Sequence, residues 1–120
     1  MAYGTLAVDT LNSSTGVLAT QNGMTGIAKA WCNYDGTTQT IIGSFNISSV
    51  TYTSTGTYTF NLANAVANTN GALLASKSNQ TTNAANAQGI NWTSTSGFQL
   101  VNYEAGSKVN SPVFVAAFSS

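Results

Sequence analysis

Apolar and polar residues alternate along much of this chain with a period of two, the spacing expected of β-strands that have one buried face. The clearest example is residues 57–62, where Tyr58, Phe60 and Leu62 alternate with threonine and asparagine. Because consecutive side chains of a strand point to opposite faces, these three side chains are predicted to enter a core. The intervening polar side chains are predicted to face away from it.

A change of phase interrupts the alternation a few residues upstream. Phe45 and Ile47 are predicted to face the core, whereas Val50 and Tyr52 continue the pattern one residue late. A β-bulge adds one residue to a strand and thereby restores the phase. We therefore predict a bulge or bend at residues 48–49.

Two hairpins are predicted from the turn residues between alternating segments. In the first, residues 53–56 end in a glycine that tolerates a positive φ, so residues 50–62 are predicted to fold back on themselves. In the second, residues 98–103 lead through a turn to a return strand at residues 113–118. Pro112 lacks a backbone donor and is therefore expected at the start of that strand or at a sheet edge.

The remaining segments complete an all-β pattern. Further strands are predicted at residues 5–10, 27–34, 38–42 and 72–76, with a strand end or one loose turn at 62–68 and a long polar loop at 76–89. Short, evenly spaced strands separated by turns are typical of sandwiches and barrels. We predict a single antiparallel β-sandwich domain over residues 1–120, of jelly-roll or immunoglobulin-like type, in which residues 1–25 form an N-terminal strand or an assembly arm.

Charged residues are scarce, and this limits what the surface can do. Only six of the 120 residues are charged, the formal net charge is zero, and neither histidine nor arginine occurs, whereas about a quarter of an ordinary domain is charged. Proteins with little net charge tend to associate, so we predict a homo-oligomer.

The same composition argues against several partners. Without a basic patch, the electrostatic attraction that drives nucleic-acid binding is missing. No apolar run reaches the roughly 18 residues of a membrane span. The first residues have neither the basic nor the apolar region of a signal peptide, so synthesis in a cytoplasm is expected.

The chain has few of the residue types that catalytic sites use. A Ser-His-Asp triad requires histidine, and a metal site requires clustered His, Cys or carboxylates. Asp9, Asp35 and Glu104 stand far apart in the chain, and the last two are expected to serve in turns. We predict no enzyme, no metal and no cofactor, with a glycosidase that uses two of these carboxylates as a distant alternative. Cys32 is the only cysteine and is expected to be a small buried side chain.

Aromatic residues offer one further possibility, the stacking of a sugar ring. Trp31 lies in a predicted strand and is expected in the core, as are Phe45, Tyr58, Phe60 and Phe98. Trp92 flanks polar segments and is the better candidate for exposure. If the protein binds glycans, we predict contacts from Trp92 together with nearby amide side chains, namely Asn79, Gln80, Asn83 and Asn86.

Several segments resemble known proteins. Residues 26–36, which contain Lys-Ala-Trp-Cys-Asn-Tyr-Asp-Gly, resemble a KAWVNFNG motif. Residues 44–50 and 56–62 resemble the SFNVSSI and GTGDYTVNF segments that accompany it. This series is common in bacteriophage tail-fibre and related virion proteins, and residues 98–118 are similar to the close of those domains. Residues 3–11 are similar to the first residues of short structural proteins of cyanophage-like viruses.

The resemblance implies a virion β-protein, often trimeric, with no catalytic residues to carry over. Cys32 and Tyr34 stand where the motif has Val and Phe. A chain that is almost only the β domain, without a fibre shaft, favours a capsid decoration or cement protein, or another particle-surface protein, located in the virion. Its expected partners are copies of itself and other virion proteins, such as the major capsid or tail proteins. The alternative is a tail-fibre tip domain that binds host surface glycans.

Overall fold

The computed structural model describes residues 4, 7, 10–13, 16–19, 26–77 and 86–119. Eleven strands lie within these residues: β1 (Thr10–Ser13), β2 (Gly16–Ala19), β3 (Ala30–Asp35), β4 (Thr40–Phe45), β5 (Ile47–Ser54), β6 (Thr57–Leu62), β7 (Leu73–Lys77), β8 (Asn86–Ser94), β9 (Gly97–Glu104), β10 (Ser107–Lys108) and β11 (Pro112–Ala117). This part of the chain contains no helix long and apolar enough to cross a membrane. The predicted all-β fold is confirmed.

Two antiparallel sheets pack against each other. The front sheet has the strand order β8-β9-β6-β5, and the short β10 pairs with the end of β9. The back sheet has the order β4-β3-β11-β7. β1 and β2 form a separate hairpin in which Thr10 pairs with Ala19. The predicted strand at residues 5–10 and the arm at 1–25 lie largely outside the described residues.

The core forms where the inward side chains of the two sheets meet. Phe60 of β6 and Phe98 of β9 are fully buried and stack with ring centroids 5.2 Å apart. Tyr34 of β3 contacts the Phe60 ring edge-on at 5.9 Å. Tyr58 and Leu62 are buried on the same side of β6, so the predicted inward face of Tyr58, Phe60 and Leu62 is confirmed. Thr57, which was predicted to face away from the core, is also buried.

The bulge predicted near residue 48 is also present. Ile47 pairs with Leu62 and Ser49 pairs with Asn61, so the register between β5 and β6 shifts by one residue across Ser48. After this shift Val50 and Tyr52 lie partly buried against the core. The hairpin at residues 50–62 is confirmed.

A sharp corner at Asn46 overturns one prediction. Phe45 ends β4 in the back sheet and Ile47 begins β5 in the front sheet, so the two residues do not share a strand face. Asn46 has a φ of 57°, a left-handed conformation that asparagine tolerates better than most residues. Its Oδ1 accepts a hydrogen bond from the Asn64 backbone N–H at 2.7 Å, and its Nδ2 donates to the Lys29 carbonyl at 3.0 Å. Phe45 consequently points out of the core.

The predicted C-terminal hairpin is wrong as well. β11 does not return onto β9; it crosses to the back sheet and pairs with β3 and β7. Buried amides and hydroxyls hold the crossing segment: Asn102 Nδ2 donates to the Val109 carbonyl at 3.1 Å and to Ser111 Oγ at 2.6 Å. The Ser111 N–H donates to the Tyr58 hydroxyl at 3.3 Å. These bonds satisfy polar groups that the crossing would otherwise bury unpaired.

The other predicted elements are confirmed with shifted ends. The strands expected at 27–34, 38–42 and 72–76 correspond to β3, β4 and β7. Residues 63–72 form bends without a helix. β7 extends to Lys77 and β8 begins at Asn86, so the loop expected at 76–89 is shorter at both ends; its residues 78–85 lie outside the described ones.

Candidate functional site: the outer faces of the two sheets

The outward side of the back sheet is rich in large apolar side chains. Cys32 and Tyr34 point into the core, so the period of two leaves Trp31 pointing outward. Four large side chains on this side are about half exposed: Trp31 at 44%, Phe45 at 53%, Leu74 at 57% and Phe114 at 45%. We call these four residues together with Ala116 the apolar face. Exposed apolar patches on folded proteins mark interaction sites.

Strand pairing arranges the outward side chains in two adjacent rows. In the first row, Trp31 pairs with Phe45 on one side and with Ala116 on the other, and Ala116 pairs with Leu74. This row is apolar across all four strands. In the second row, the residues in the same strand order are Gly43, Asn33, Phe114 and Ser76. Bulky residues therefore dominate the first row, and small or polar ones surround Phe114 in the second.

The Trp31 ring leans from the first row toward the second. A methyl group placed on Gly43 would lie 3.6 Å from Cζ3 of Trp31 and 3.7 Å from Cη2, which is ordinary van der Waals contact. Beyond the paired residues, Ile42 is 63% exposed in β4. It has no register partner in β3, because the register shifts between Asn33 and Tyr34. The apolar surface thus continues onto the edge strand.

The exposure of Trp31 and Phe45 corrects the expectation that both lie in the core. For Trp31 the signal was present in the sequence, because Asn33 and Asp35 have the same parity in the strand and are polar. For Phe45 the reversal comes from the corner at Asn46. Local alternation alone cannot reveal that corner.

The outward side of the front sheet carries uncharged polar side chains along β5, β6 and β9, with Lys108 of β10 at one end. Asn61 Nδ2 donates to Ser49 Oγ and to Thr51 Oγ1, each at 3.0 Å. Gln99 Nε2 donates to Thr59 Oγ1 at 3.3 Å. These five residues form what we call the polar face. Because its amide donors are bonded within the sheet, this face is less available for new partners than the apolar face.

The predicted glycan contacts are only partly described. Trp92 is partly buried and packs against the core. Its Nε1 donates to the Gly71 carbonyl at 3.2 Å, and its ring contacts Phe98 edge-on at 5.8 Å. Trp31 is therefore the more exposed tryptophan, the reverse of the prediction. Asn79, Gln80 and Asn83 lie outside the described residues, and of Asn86 only the backbone, in β8, is described.

The described carboxylates are engaged in structural roles. Asp35 Oδ1 accepts hydrogen bonds from the backbone N–H groups of Thr37 at 2.9 Å and Thr38 at 3.4 Å. The bond from Thr37 is the main reason that the pKa of Asp35 lies below its usual value. Glu104 pairs with Lys77 of the other sheet. The turn role expected of Asp35 is confirmed, and Asp9 lies outside the described residues. Among the described residues, no three His, Cys, Asp or Glu side chains cluster as metal ligands.

The single cysteine is buried, as predicted. Cys32 is 1% exposed between the two sheets. Burial raises its pKa to about 11, so the thiolate that would act as a nucleophile is scarce at neutral pH. Cys32 therefore contributes packing rather than reactivity.

Comparison with known proteins adds no relative. No protein-family model matches the chain, and neither a curated protein nor a solved structure matches it significantly. A functional conclusion therefore depends on the geometry and chemistry of the two faces.

Proposed function

We propose that this protein is a structural subunit of a virion surface, of the capsid decoration or cement type, which acts by packing its apolar face against another subunit. The observation that carries the proposal is the uninterrupted apolar row Phe45, Trp31, Ala116 and Leu74 across the back sheet. The virion setting rests on the resemblance of residues 26–36, 44–50 and 56–62 to virion proteins. Zero net charge supports association, because little repulsion opposes it.

The strength of such a contact can be bounded. Half-exposed aromatic and leucine side chains each leave about 100 Å² to bury, which at about 25 cal/mol per Å² gives roughly 10 kcal/mol for four of them. Association itself costs an estimated 4–15 kcal/mol. The net affinity of one face is therefore modest. A particle surface compensates, because many linked contacts raise the overall affinity without any new interaction.

The proposal involves no catalysis, cofactor, nucleic acid or membrane insertion. Its partners are copies of this chain and other virion proteins, such as major capsid or tail proteins. The trimer implied by the resemblance is one way to arrange such subunits.

A second candidate function is glycan binding by a tail-fibre tip. The observation in its favour is the exposed Trp31 ring with the Asn33 amide in the neighbouring row. Aromatic faces stack on sugar rings, and an amide can bond sugar hydroxyls without charge. The greater exposure of Trp31 supports it over Trp92 as the stacking residue of this second candidate.

Light scattering coupled to size exclusion tests the proposal. The wild type is expected to exceed the 12.3 kDa of one chain at high concentration or when mixed with its particle. The double variant Trp31→Ser with Phe114→Ser is expected to lose this association and keep its melting temperature. Tyr103→Ser is the matched control, because it removes a partly exposed aromatic from the front sheet instead.

Cryo-electron microscopy of purified particles would then place the protein on the capsid shell or the tail. An apolar-face variant that assembles like the wild type would contradict the proposal. Binding of the wild type on a glycan array, lost with Trp31→Ala, would favour the tail-fibre alternative.

A further inference from the structure

We propose that the partner of the apolar face is a second copy of this chain, packed face to face with its β3 antiparallel to the first. In this arrangement Lys29 of each copy lies against the partner subunit's Asp35. This inference rests on the proposed function, because it takes the apolar face to be an interface. It adds which molecule binds there and in which orientation.

The charges around the back sheet are placed at opposite ends of one strand. Lys29 precedes β3, and its N–H donates to the Ala117 carbonyl at 2.7 Å, which continues the β3–β11 pairing by one residue. Asp35 ends β3. At about 3.3 Å per residue the two positions are roughly 20 Å apart. The outward residues between them, Trp31 and Asn33, are uncharged.

The other described charges do not compete for this role. Lys77 and Glu104 pair with each other across the two sheets, and Lys108 lies in β10 of the front sheet. Within the described part of the chain, no carboxylate lies within ion-pair distance of Lys29. The face therefore presents one cation at one end and one anion at the other.

Two-fold symmetry turns this polarity into a choice of orientation. A two-fold contact brings the same patch of both copies together. If the β3 strands run parallel, Lys29 meets Lys29 and Asp35 meets Asp35, which is repulsive at both ends. If they run antiparallel about an axis at Cys32, both ends become attractive. Charges at an interface rim select orientation and partner more than they add affinity.

The same axis also matches the shapes of the two rows. Cys32 pairs with Ser44 and Val115, and Val115 with Ala75, so one line across the four strands separates the first row from the second. Rotation about this line places the first row of one copy over the second row of its partner. Trp31 then faces the partner subunit's Asn33, and Phe45 faces the partner subunit's Gly43. Leu74 likewise faces the partner subunit's Ser76, and Ala116 faces the partner subunit's Phe114.

By strand register each large residue thus lies opposite a smaller one on all four strands, and Phe45 also contacts the ring of the partner subunit's Trp31, which leans over the partner's Gly43. Stacked sheets pack about 10 Å apart by this kind of interdigitation. If the strands of the two copies ran parallel, about an axis along the strands, the first row of one copy would instead lie over the first row of the other. The large residues of that row would then oppose one another. Charge and shape, two independent properties of the face, therefore select the same axis.

The size of the face predicts a weak contact. Four strands about 4.8 Å apart, each six residues long at about 3.4 Å per residue, form a face of roughly 20 by 20 Å. Two such faces in contact bury about 800 Å² in total. This area is below the 1,200–2,000 Å² of standard stable interfaces. Dimerisation is therefore expected to be reversible and concentration-dependent. A two-fold contact uses the same face of both copies, so this contact joins copies in pairs rather than in threes.

Charge reversal tests the orientation. The dimer dissociation constant is measured by sedimentation equilibrium at low ionic strength, where rim charges are least screened. Lys29→Glu is expected to weaken dimerisation about tenfold or more, because it sets like charges together at both ends. Lys108→Glu, which makes the same charge change on the front sheet, is expected to leave the constant within about twofold.

The double variant Lys29→Glu with Asp35→Lys is expected to restore dimerisation, since each pair is reversed as a whole. Because Asp35 also caps a turn, thermal melting checks that this variant folds. If it does not fold, Lys29→Glu with Asp35→Asn serves instead; Asn keeps an acceptor for the turn, removes the repulsion and is expected to restore dimerisation in part.

The outcomes separate this inference from the proposed function. Wild-type dimerisation that Trp31→Ser with Phe114→Ser abolishes, but that Lys29→Glu leaves unchanged, would overturn the antiparallel pairing and leave the role of the apolar face intact. A wild type that stays monomeric yet binds its particle through Trp31 and Phe114 would show that the occupant is a different protein. A monomer with no particle binding would contradict both.

Discussion

Trp31 and Phe45 are direct register partners on neighbouring strands, and both rings lie on the solvent side of the back sheet. Directly opposed side chains in an antiparallel pair are close enough to interact. Burying the exposed parts of these two aromatic rings against a partner is favourable, because it removes apolar surface from water. This pair therefore forms an aromatic part of the proposed interface. Variants at these two positions are expected to change association more than stability.

The two tryptophans are expected to respond in opposite ways to truncation. Trp31→Ala should leave the melting temperature nearly unchanged and weaken association, because the ring is exposed. Trp92→Ala should lower the free energy of unfolding by about 2 kcal/mol, less than the 3–5 kcal/mol of a fully buried tryptophan, because the ring packs on Phe98 and bonds the Gly71 carbonyl. Equal losses of stability in denaturant titrations would show that the exposed and buried assignments are wrong.

Phe60 is expected to be among the costliest core residues to truncate. It is fully buried and contacts both Phe98 and Tyr34, so Phe60→Ala should cost about 3–5 kcal/mol. Its neighbour Thr59 points outward and accepts one hydrogen bond, from Gln99, so Thr59→Ala should cost about 1 kcal/mol. Thermal unfolding of the two variants measures the difference, and similar midpoints would contradict the assigned strand phase.

The corner residue Asn46 is expected to matter through its side chain as well as its backbone. Asn46→Ala should destabilise more than Asn46→Gly, because both lose the bonds to Lys29 and Asn64 but only alanine also strains at the positive φ. The control is Gln39→Gly, at a φ of 58° in an exposed turn, which should be neutral or slightly stabilising. Denaturant titrations rank the three variants; glycine and alanine at residue 46 behaving alike would argue against backbone strain there.

Alkaline pH is expected to lower the free energy of unfolding. Burial raises the pKa of Cys32 from 9.0 to about 11 and also raises the pKa of Tyr34 and Tyr58. Because the folded pKa of Cys32 lies above the unfolded value, its contribution to stability is complete below pH 9 and is lost as pH rises toward 11. Denaturant titrations across this range should show a decline that is shallower in Cys32→Ala. Parallel curves for the two proteins would mean that the thiol does not contribute.

The sequence by itself determined the features that depend on near neighbours. The inward positions of Tyr58, Phe60 and Leu62 follow from alternation within one strand, because pleating sends successive side chains to opposite faces whatever the strand pairs with. The bulge at Ser48 followed from the slip in that alternation. The burial of Cys32 and the capping role of Asp35 were likewise predictable from the residues beside them.

Only the tertiary structure decided which sheet each strand joins, and with that the interface. β11 looks like the return strand of β9, yet it pairs with β3 and β7 because buried bonds from Asn102 hold its approach across the core. Phe45 has the local pattern of a core residue, yet the left-handed corner at Asn46 turns it outward beside Trp31. Register between distant strands depends on contacts remote in sequence. The apolar face therefore exists only once β4, β3, β11 and β7 are side by side.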